Sequence, residues 1–276
     1  MKKTLASILA LVLLFSMACL AEGEIIGRLS MISVGIEDLP QMAEESQYLD
    51  DQTDAFVQNM MANQSGQIEF DNLTTMLMAL NADDVTALGV NASVAQYIVA
   101  RNDSLQWTPN VMPIQDSFCM MVMEENRDIY DLLNNALTEM KADGTLDSLI
   151  ENELQACIYS DPKPVKLPEI KGAQIIRVAV TGDLPPMDYV AVDGTPAGFN
   201  MAVLAEIARR AQVNIETMQV DSAARSTALA SGRVDAIFWT KGVISPDGTI
   251  LWSETIDGAL ATEIYFADTF ARVTKK

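Results

Sequence analysis

The sequence predicts an α/β protein in which strands of a parallel sheet alternate with helices in two similar lobes. Residues 175–240 show strand, helix, strand, helix and strand patterns in turn, which calls for a parallel sheet with helical crossovers. Residues 70–88 and 220–237 are distantly similar: each begins near an aspartate (Asp71, Asp221), contains an Ala-Leu pair and ends in a strand. Two lobes of like architecture facing each other across a cleft are therefore expected.

The elements of the C-terminal part follow from local patterns. Ile175–Val180 is an apolar, β-branched run bounded by glycines, which is typical of a strand covered on both faces. Asn200 is placed to cap a helix whose apolar residues recur at helical spacing as far as Ala211. Beyond it the pattern predicts strands at 213–220 and 234–239, with a helix at 223–229 between them.

The N-terminal part has a strand pattern at 27–34 and another at 118–122. An apolar stripe from Ile129 to Met140 predicts a helix that ends near Gly144, and Thr145 begins a shorter one. The prolines and lysines of residues 160–172 predict a linker.

The first residues have the layout of a secretory signal peptide. Lys2 and Lys3 precede an apolar stretch at 5–15, and small residues follow as far as Ala21. Cleavage after Ala21 is expected, with lipoprotein processing at Cys19 as the alternative. No other run approaches eighteen apolar residues, so the mature chain is expected to be soluble and secreted, periplasmic or attached to the cell surface.

Composition excludes several functions. The 18 Lys and Arg against 38 Asp and Glu give a net charge of −20, which argues against nucleic acid or an anionic membrane as partner. The chain has no histidine, which removes the commonest general base and metal ligand, and neither a metal nor another cofactor is predicted. Cys119 and Cys157 are expected to be either a disulfide or buried thiols.

Four motifs carry a family resemblance: RVAVTGDLPPMDY, DGTPAGFN, AVLAEIARR and ALASGRVDAIF. Together they resemble the first lobe of the family 3 extracellular solute-binding proteins, the amino-acid-type periplasmic binding proteins of ABC importers. Residues 116–154 are similar to the closing segment of that family, and IYFADTFARVTKK looks like its crossover strand into the second lobe. The resemblance implies a two-lobed periplasmic-binding-protein-like fold (type II), here with the lobes in circularly permuted order. Truncation of a tandem duplication would give the same order.

The resemblance also implies a division of the chain and a pairing. Residues 118–122 and 269–273 correspond to the two crossover strands of the family and are expected side by side at the hinge. The expected segments are a signal peptide at 1–21, a second-lobe domain at 22–117, a hinge strand and closing helices at 118–159, a linker at 160–172, a first-lobe domain at 173–268 and a crossover strand at 269–276.

The expected ligand site departs from the family pattern. Family members hold an α-amino acid with an arginine, an aspartate and an aromatic residue, and the matching positions here are Lys241, Asn91 and the turn that carries Met187 and Tyr189. Met187 and Tyr189 are expected to be exposed, whereas Trp239 could be core, and Glu37 and Lys241 could be surface charges. The predicted site residues are Asp183, Met187, Tyr189, Trp239, Thr240 and Lys241 from one lobe, and Gly35, Glu37 and Asn91 from the other.

The implied function is capture of a small amino-acid-like or other polar or aromatic solute between two lobes, for delivery to an ABC permease by a monomeric protein that is not an enzyme. One alternative is a sensor or interaction domain with a degenerate site. Another is a dehydratase on the same fold, with Asp183 or Glu37 as the acid or base. Because both charged anchors of an amino acid are replaced, standard amino acids are expected to bind poorly, and a flatter, less charged molecule is expected to bind by stacking.

Overall fold

The computed structural model describes residues 25–29, 67–109, 115–160, 163–191, 194–221, 224–244, 250–252 and 256–276. The expected signal peptide and the predicted site residues Gly35 and Glu37 lie outside these ranges. Within them, no helix combines the length and the apolar character needed to cross a membrane.

The described residues form a mixed α/β fold, as predicted. A short 3₁₀-helix lies at Glu124–Asn126, and a π-helical segment lies at Ile150–Gln155. The helices are α1 (Leu73–Asn81), α2 (Ala92–Val99), α3 (Arg127–Ala142), α4 (Thr145–Leu149), α5 (Ala156–Ile158), α6 (Phe199–Ala211) and α7 (Arg225–Ala230). The strands are β1 (Ile26–Leu29), β2 (Gln67–Phe70), β3 (Ala87–Asn91), β4 (Leu105–Pro109), β5 (Gln115–Met123), β6 (Ile175–Val180), β7 (Asp183–Leu184), β8 (Asp188–Val190), β9 (Pro196–Ala197), β10 (Asn214–Gln219), β11 (Ala236–Ile244), β12 (Ile250–Trp252), β13 (Ala259–Ala261) and β14 (Phe266–Lys275).

Lobe 1 is built on β5, β6, β10 and β11, with helices α3, α6 and α7. Strands β6, β10 and β11 are parallel in the spatial order β10-β6-β11, and β5 is added antiparallel to β11. The alternation of strands and helices predicted for this part is confirmed. Helix α6 has Gly198 at its N-cap, and the prediction of Asn200 there is wrong. The Asn200 side chain is instead buried and donates a hydrogen bond to Asp188 at 2.8 Å.

Lobe 2 is built on β1 to β4, with helices α1 and α2. Its first three strands are parallel in the order β2-β1-β3. In both lobes the first strand therefore lies between the second and the third, and an aspartate follows the second strand. The similarity of residues 70–88 to 220–237 thus corresponds to the same strand order in the two lobes.

Strand β14 joins the lobes in one continuous sheet. Its residues 266–269 pair antiparallel with β5 of lobe 1, and residues 270–273 pair antiparallel with β3 of lobe 2. Strand β4 pairs with residues 271–275 of β14, on the edge of β14 that faces away from β3. The expected neighbours at the hinge are therefore adjacent in the sheet, but the paired residues are 115–118 and 266–269 rather than 118–122 and 269–273.

The helices after β5 pack on lobe 1. Ile129, Leu133, Leu137 and Met140 of α3 are buried in the same apolar core as Ile207 of α6. On the surface above this core, Arg210 donates hydrogen bonds to Asp143 at 2.7 Å and to Thr145 at 2.9 Å. The segment that precedes the predicted linker is thus held against the helix that follows it.

Candidate functional site

A cleft of about 360 Å³ lies between the two lobes. Lobe 1 contributes the segments that follow β6 and β10, the carboxyl ends of two parallel strands, where open α/β sheets commonly bind ligands. Lobe 2 contributes the residues before and within the first turn of α1. The lining residues are Asp71, Asn72, Thr74 and Thr75 from lobe 2, and Thr181, Asp183, Gln219, Val220 and Asp221 from lobe 1.

Asp183 connects the lobes at one side of this cleft. Its Oδ2 accepts a hydrogen bond from the backbone N–H of Leu73, the first residue of α1, at 3.1 Å. The first N–H groups of a helix have no partner inside the helix, so they favour a negatively charged acceptor. The Asn72 side chain, at the N-cap, accepts from the N–H of Thr75 at 2.9 Å.

The pKa of Asp183 is raised above its usual value. Burial is the main cause, and the negative charges of Asp188 and Asp221 act in the same direction. Hydrogen bonds from the N–H groups of Leu73 and Thr74 oppose this shift. Burial of this carboxyl group thus outweighs the hydrogen bonds that favour its charged form.

A buried network centred on Asp188 fixes the turn that carries Asp183. Asp188 is fully buried, and its carboxylate accepts hydrogen bonds from the Thr181 hydroxyl, from the Gly182 N–H at 2.6 Å and from the Asn200 amide at 2.8 Å. The Tyr265 hydroxyl donates in turn to Asn200 at 3.1 Å. These hydrogen bonds, buried at Asp188, Asn200 and Tyr265, tie the turn to the start of α6 at the edge of the cleft.

Two predicted site residues from different lobes meet at Asp116 of β5, away from the lining of the cleft. Lys241 lies 3.1 Å from the Asp116 Oδ2 atom, and Asn91 donates to the same atom at 2.9 Å. Asp116 is 1% exposed, so the positive charge of Lys241 is balanced inside the protein. Neither residue lines the cleft described above.

Asp268 lies beside this cluster, directly opposite Asp116 in the pairing of β14 with β5. Its carboxylate accepts the N–H of Ser93 in the first turn of α2, at 3.0 Å. Burial raises the pKa of Asp268 from 3.8 to about 6, and the charge of Asp116 adds to the shift. A carboxyl group on the shared strand thus contacts the start of a lobe 2 helix, as Asp183 does.

Trp239 and Thr240 belong to the core, which was the alternative stated for Trp239. Trp239 is 1% exposed and stacks on Phe118 with ring centroids 3.6 Å apart. It lies at a bulge in β11 with a φ of 63°, and the buried Arg225 donates to the carbonyl of the adjacent Phe238 at 2.7 Å. Arg225 therefore stabilises this bulge.

The predicted exposure of Met187 is wrong. Met187 is fully buried because the turn folds under the start of α6, where its carbonyl accepts the N–H of Asn200 at 2.8 Å. Tyr189 is partly buried near Tyr97 of α2, which is a further contact between the lobes, and burial raises the pKa of Tyr189. Cys119 and Cys157 are separate, buried thiols.

Of the seven predicted site residues within the described ranges, Asp183 alone lines the cleft. The sequence contained a signal for two of those that were missed. Asp71 and Asp221 are the aspartates at matching positions of the two similar segments, and the structure places both in the lining. The side chains of Thr181 and Gln219 carried no such signal.

A comparison with protein families finds one match, which covers part of lobe 1. Residues 176–242 match the model of the bacterial extracellular solute-binding proteins, family 3. No match was found among curated proteins. The matched segment contains Thr181, Asp183, Gln219, Val220 and Asp221, which form the lobe 1 side of the cleft.

Solved structures give more distant similarities. The alkanesulfonate-binding protein SsuA from Xanthomonas axonopodis pv. citri, bound to MOPS, is 12% identical, with a TM-score of 0.37 over 92% of this chain and 65% of that one. The ligand-binding component of an ABC-type import system from Staphylococcus aureus, with zinc bound, is 9% identical, with a TM-score of 0.41 over 91% and 65%. The GluR0 ligand-binding core from Nostoc punctiforme, in complex with L-glutamate, is 8% identical, with a TM-score of 0.35 over 92% and 85%.

Similarity at this level does not transfer a ligand or an activity, and the chain spans only 65% of the length of the first two structures. The family match is independent of them, and it falls on the motifs from which the resemblance was predicted. Residues 176–242 are therefore similar to the bacterial extracellular solute-binding proteins, family 3.

Proposed function

We propose that this protein is an extracytoplasmic solute-binding protein that captures a small molecule between its two lobes and delivers it to an ABC-type importer. The observation that carries the proposal is the cleft of about 360 Å³ between the carboxyl ends of β6 and β10 and the start of α1. Its volume is in the range of small-molecule sites, and its lobe 1 side lies within the segment that matches the solute-binding family.

The connection between the lobes supports capture by closure. Strand β14 passes from one lobe to the other as a single strand, and the Asp183–Leu73 hydrogen bond joins the lobes beside the cleft. Hinge motions commonly bend at a few residues of such connections. Bending of β14 near Thr269 and Phe270, where its pairing changes lobes, would open or close the cleft.

The same proposal includes the finer features predicted from the sequence. We propose that the chain is secreted through the signal peptide at 1–21, with Cys19 as the candidate for a lipid anchor, and that its lobes follow the permuted order. The packing of α3 and α4 on α6 supports this order. In the family, the corresponding helices come at the end of the chain and pack on the first lobe. Here they come before the first-lobe segment and still pack on it.

The test is a thermal-shift screen of the full chain with amino acids, amines, peptides, organic acids and sulfonates. A solute that binds only the folded state, at a concentration of 100 times its Kd, should raise the midpoint temperature of unfolding by about 5 °C or more. Thr74→Trp should abolish that shift, because Thr74 is an exposed lining residue and the indole would occupy the cleft.

Met78→Trp is the matched control. Met78 is exposed on the same helix but does not line the cleft, so this variant should keep the full ligand-induced shift. If no solute stabilises the parent protein, or if a stabilising solute acts equally on Thr74→Trp, the cleft does not capture solutes. A sensor or interaction domain with a degenerate site would then be the better interpretation.

A further inference from the structure

The charge of the cleft lining points to the class of solute. Asp71 and Asp221 are exposed carboxylates on opposite sides of the cleft, one from each lobe, and Asp183 is a third. The other described lining residues are Asn72, Thr74, Thr75, Thr181, Gln219 and Val220, so none of them is a lysine or arginine. A solute in this cleft meets negative charge from both lobes.

Two cations of lobe 1 are engaged away from the cleft. Lys241 is 3.1 Å from the buried Asp116 carboxylate, and Arg225 donates to the Phe238 carbonyl at 2.7 Å. The start of α1, which could attract an anion, already donates the Leu73 N–H to Asp183. An anionic solute would therefore face three carboxylates with no cation among the described lining residues.

The arrangement of the carboxylates favours an organic cation over a single metal ion. No group of three His, Cys, Asp or Glu side chains close enough to hold a metal occurs within the described ranges. The carboxylates belong to three separate segments that line a space of about 360 Å³, which suits an extended molecule whose charges are separated along its length. Neutral hydroxyl and amide groups between them can hydrogen-bond to ammonium groups.

We propose that the solute bound in this cleft is a small organic amine with two separated cationic groups, one facing Asp71 of lobe 2 and the other facing Asp221 of lobe 1. This proposal rests on the proposed function, because it names the ligand class of the same cleft. The amine neutralises carboxylates that both lobes contribute to the cleft, so binding and closure of the lobes favour each other. It also replaces the expectation of a flat, weakly charged ligand, since Trp239 and Met187 are buried in the core.

The experiment compares three four-carbon probes that differ in charge. Putrescine carries two ammonium groups, 1,4-butanediol is neutral and succinate carries two carboxylates. Calorimetry on the full chain at pH 7.5 and low salt should show binding of putrescine. The dissociation constant of the diol should be at least about tenfold higher, and succinate should not bind. Raising NaCl from 20 to 200 mM should weaken putrescine binding several-fold.

Matched variants locate the binding. Asp71→Asn with Asp221→Asn should weaken putrescine binding at least about tenfold, because each amide keeps the shape of the carboxylate but removes its charge. Asp183 is left unchanged, since it joins the lobes. Glu151→Gln removes an exposed charge outside the cleft and should change the constant by less than about twofold.

The outcomes separate this inference from the proposed function. If the diol or succinate binds better than putrescine, or if a neutral or anionic solute of the wider screen binds while amines do not, the ligand class is wrong and solute capture stands. Equal weakening of putrescine binding by Glu151→Gln and by the double variant would show attraction by the general surface charge and overturn the inference. Absence of binding by every solute overturns both proposals.

Discussion

At the scale of single residues, carboxylates set the chemistry of the lobe junction. Asp183 accepts an N–H from α1 and Asp268 accepts an N–H from α2, so a lobe 1 turn and the shared strand each present a carboxylate to a helix start of lobe 2. Both groups have raised pKa values because burial disfavours their charge. The junction is thus sensitive to protonation in a way that an apolar interface is not.

Asp268→Asn should stabilise the protein at neutral pH. The folded pKa of about 6 is above the ordinary 3.8, so the folded state binds this proton more tightly than the unfolded state does. The group therefore favours folding below about pH 4, and this contribution is lost as the pH rises from about 4 to about 6. Removing the charge should raise the free energy of unfolding at pH 7.5 by about 1–2 kcal/mol, while the amide oxygen still accepts from Ser93.

Urea unfolding of the parent and the variant between pH 4 and pH 8 measures this effect, and the curve of the variant should be flatter between pH 4 and pH 6. Asp103→Asn, at an exposed turn, is the control and should follow the parent curve. Destabilisation by Asp268→Asn at pH 7.5 would show that the charged form is the one that the junction favours.

Gly198→Ala should destabilise the protein strongly. Gly198 has a φ of 105°, and a Cβ there would lie 2.4 Å from the carbonyl oxygen of Met187. The same carbonyl accepts the N–H of Asn200, so the backbone cannot relieve this clash without losing that hydrogen bond. The expected loss is about 3 kcal/mol or more, from backbone strain and from displacement of the turn.

The control for this change is Gly144→Ala, where φ is 77° but nothing lies within 4 Å of the added Cβ. It should lose only about 1 kcal/mol, the strain of a left-handed alanine. Both losses are measured by urea unfolding at pH 7.5. Similar losses in the two variants would mean that the contact with Met187 contributes little.

At the scale of elements, the sequence predicted what local pattern determines. The apolar run at Ile175–Val180 predicted a strand, and the apolar stripe of α3 predicted a helix. The structure has both elements. The burial of Met187 and the contact of Lys241 with Asp116 could not be predicted, because each depends on which distant strand or helix lies opposite. Asp71 and Asp221 were recognised as a matching pair, but their meeting in one cleft depends on how the lobes face each other.

Deletion of residues 270–276 should unfold lobe 2 in preference to lobe 1. These residues pair with β3 and β4, whereas the pairing of β14 with β5 ends at Thr269. Hydrogen exchange should show at least about a hundredfold loss of protection in β3 and α2, and a much smaller loss in β6 and α6.

Lys275→Ala is the control, because it removes the contact with Asp83 at 2.7 Å and keeps the strand. An exposed ion pair of this kind is worth about 0–1 kcal/mol, so protection should hardly change. If the deletion leaves lobe 2 as well protected as the parent, its stability does not depend on β14.

At the scale of the whole molecule, segments on the two sides of the predicted linker are interleaved. Strand β5 precedes the linker, yet in the sheet it lies between β11 and β14, which both follow it. The linker itself lies along lobe 1, with the Val165 N–H bound to the Pro196 carbonyl at 2.9 Å. Covalent continuity of the linker is therefore not what keeps the two parts of the chain together.

Cutting the chain at Lys171 should leave the fragments associated. A protease site inserted between Lys171 and Gly172 falls in an exposed turn, where the glycine has open space around it. After cleavage the two fragments should co-elute on gel filtration as one species of the original size, because the β5–β11 and β5–β14 ladders cross the cut. Elution as two smaller species would show that the parts are separate domains.

The place of β14 in the chain has a consequence for how the protein is made. Every other described strand comes off the ribosome before it, yet β3 and β5 must wait for β14 to cover one of their edges. Until then, each lobe of the nascent chain presents an unpaired strand edge, the feature that promotes association with other chains. The edges of β3 and β5 are therefore protected from such association only once β14, the last of the described strands, has joined the sheet.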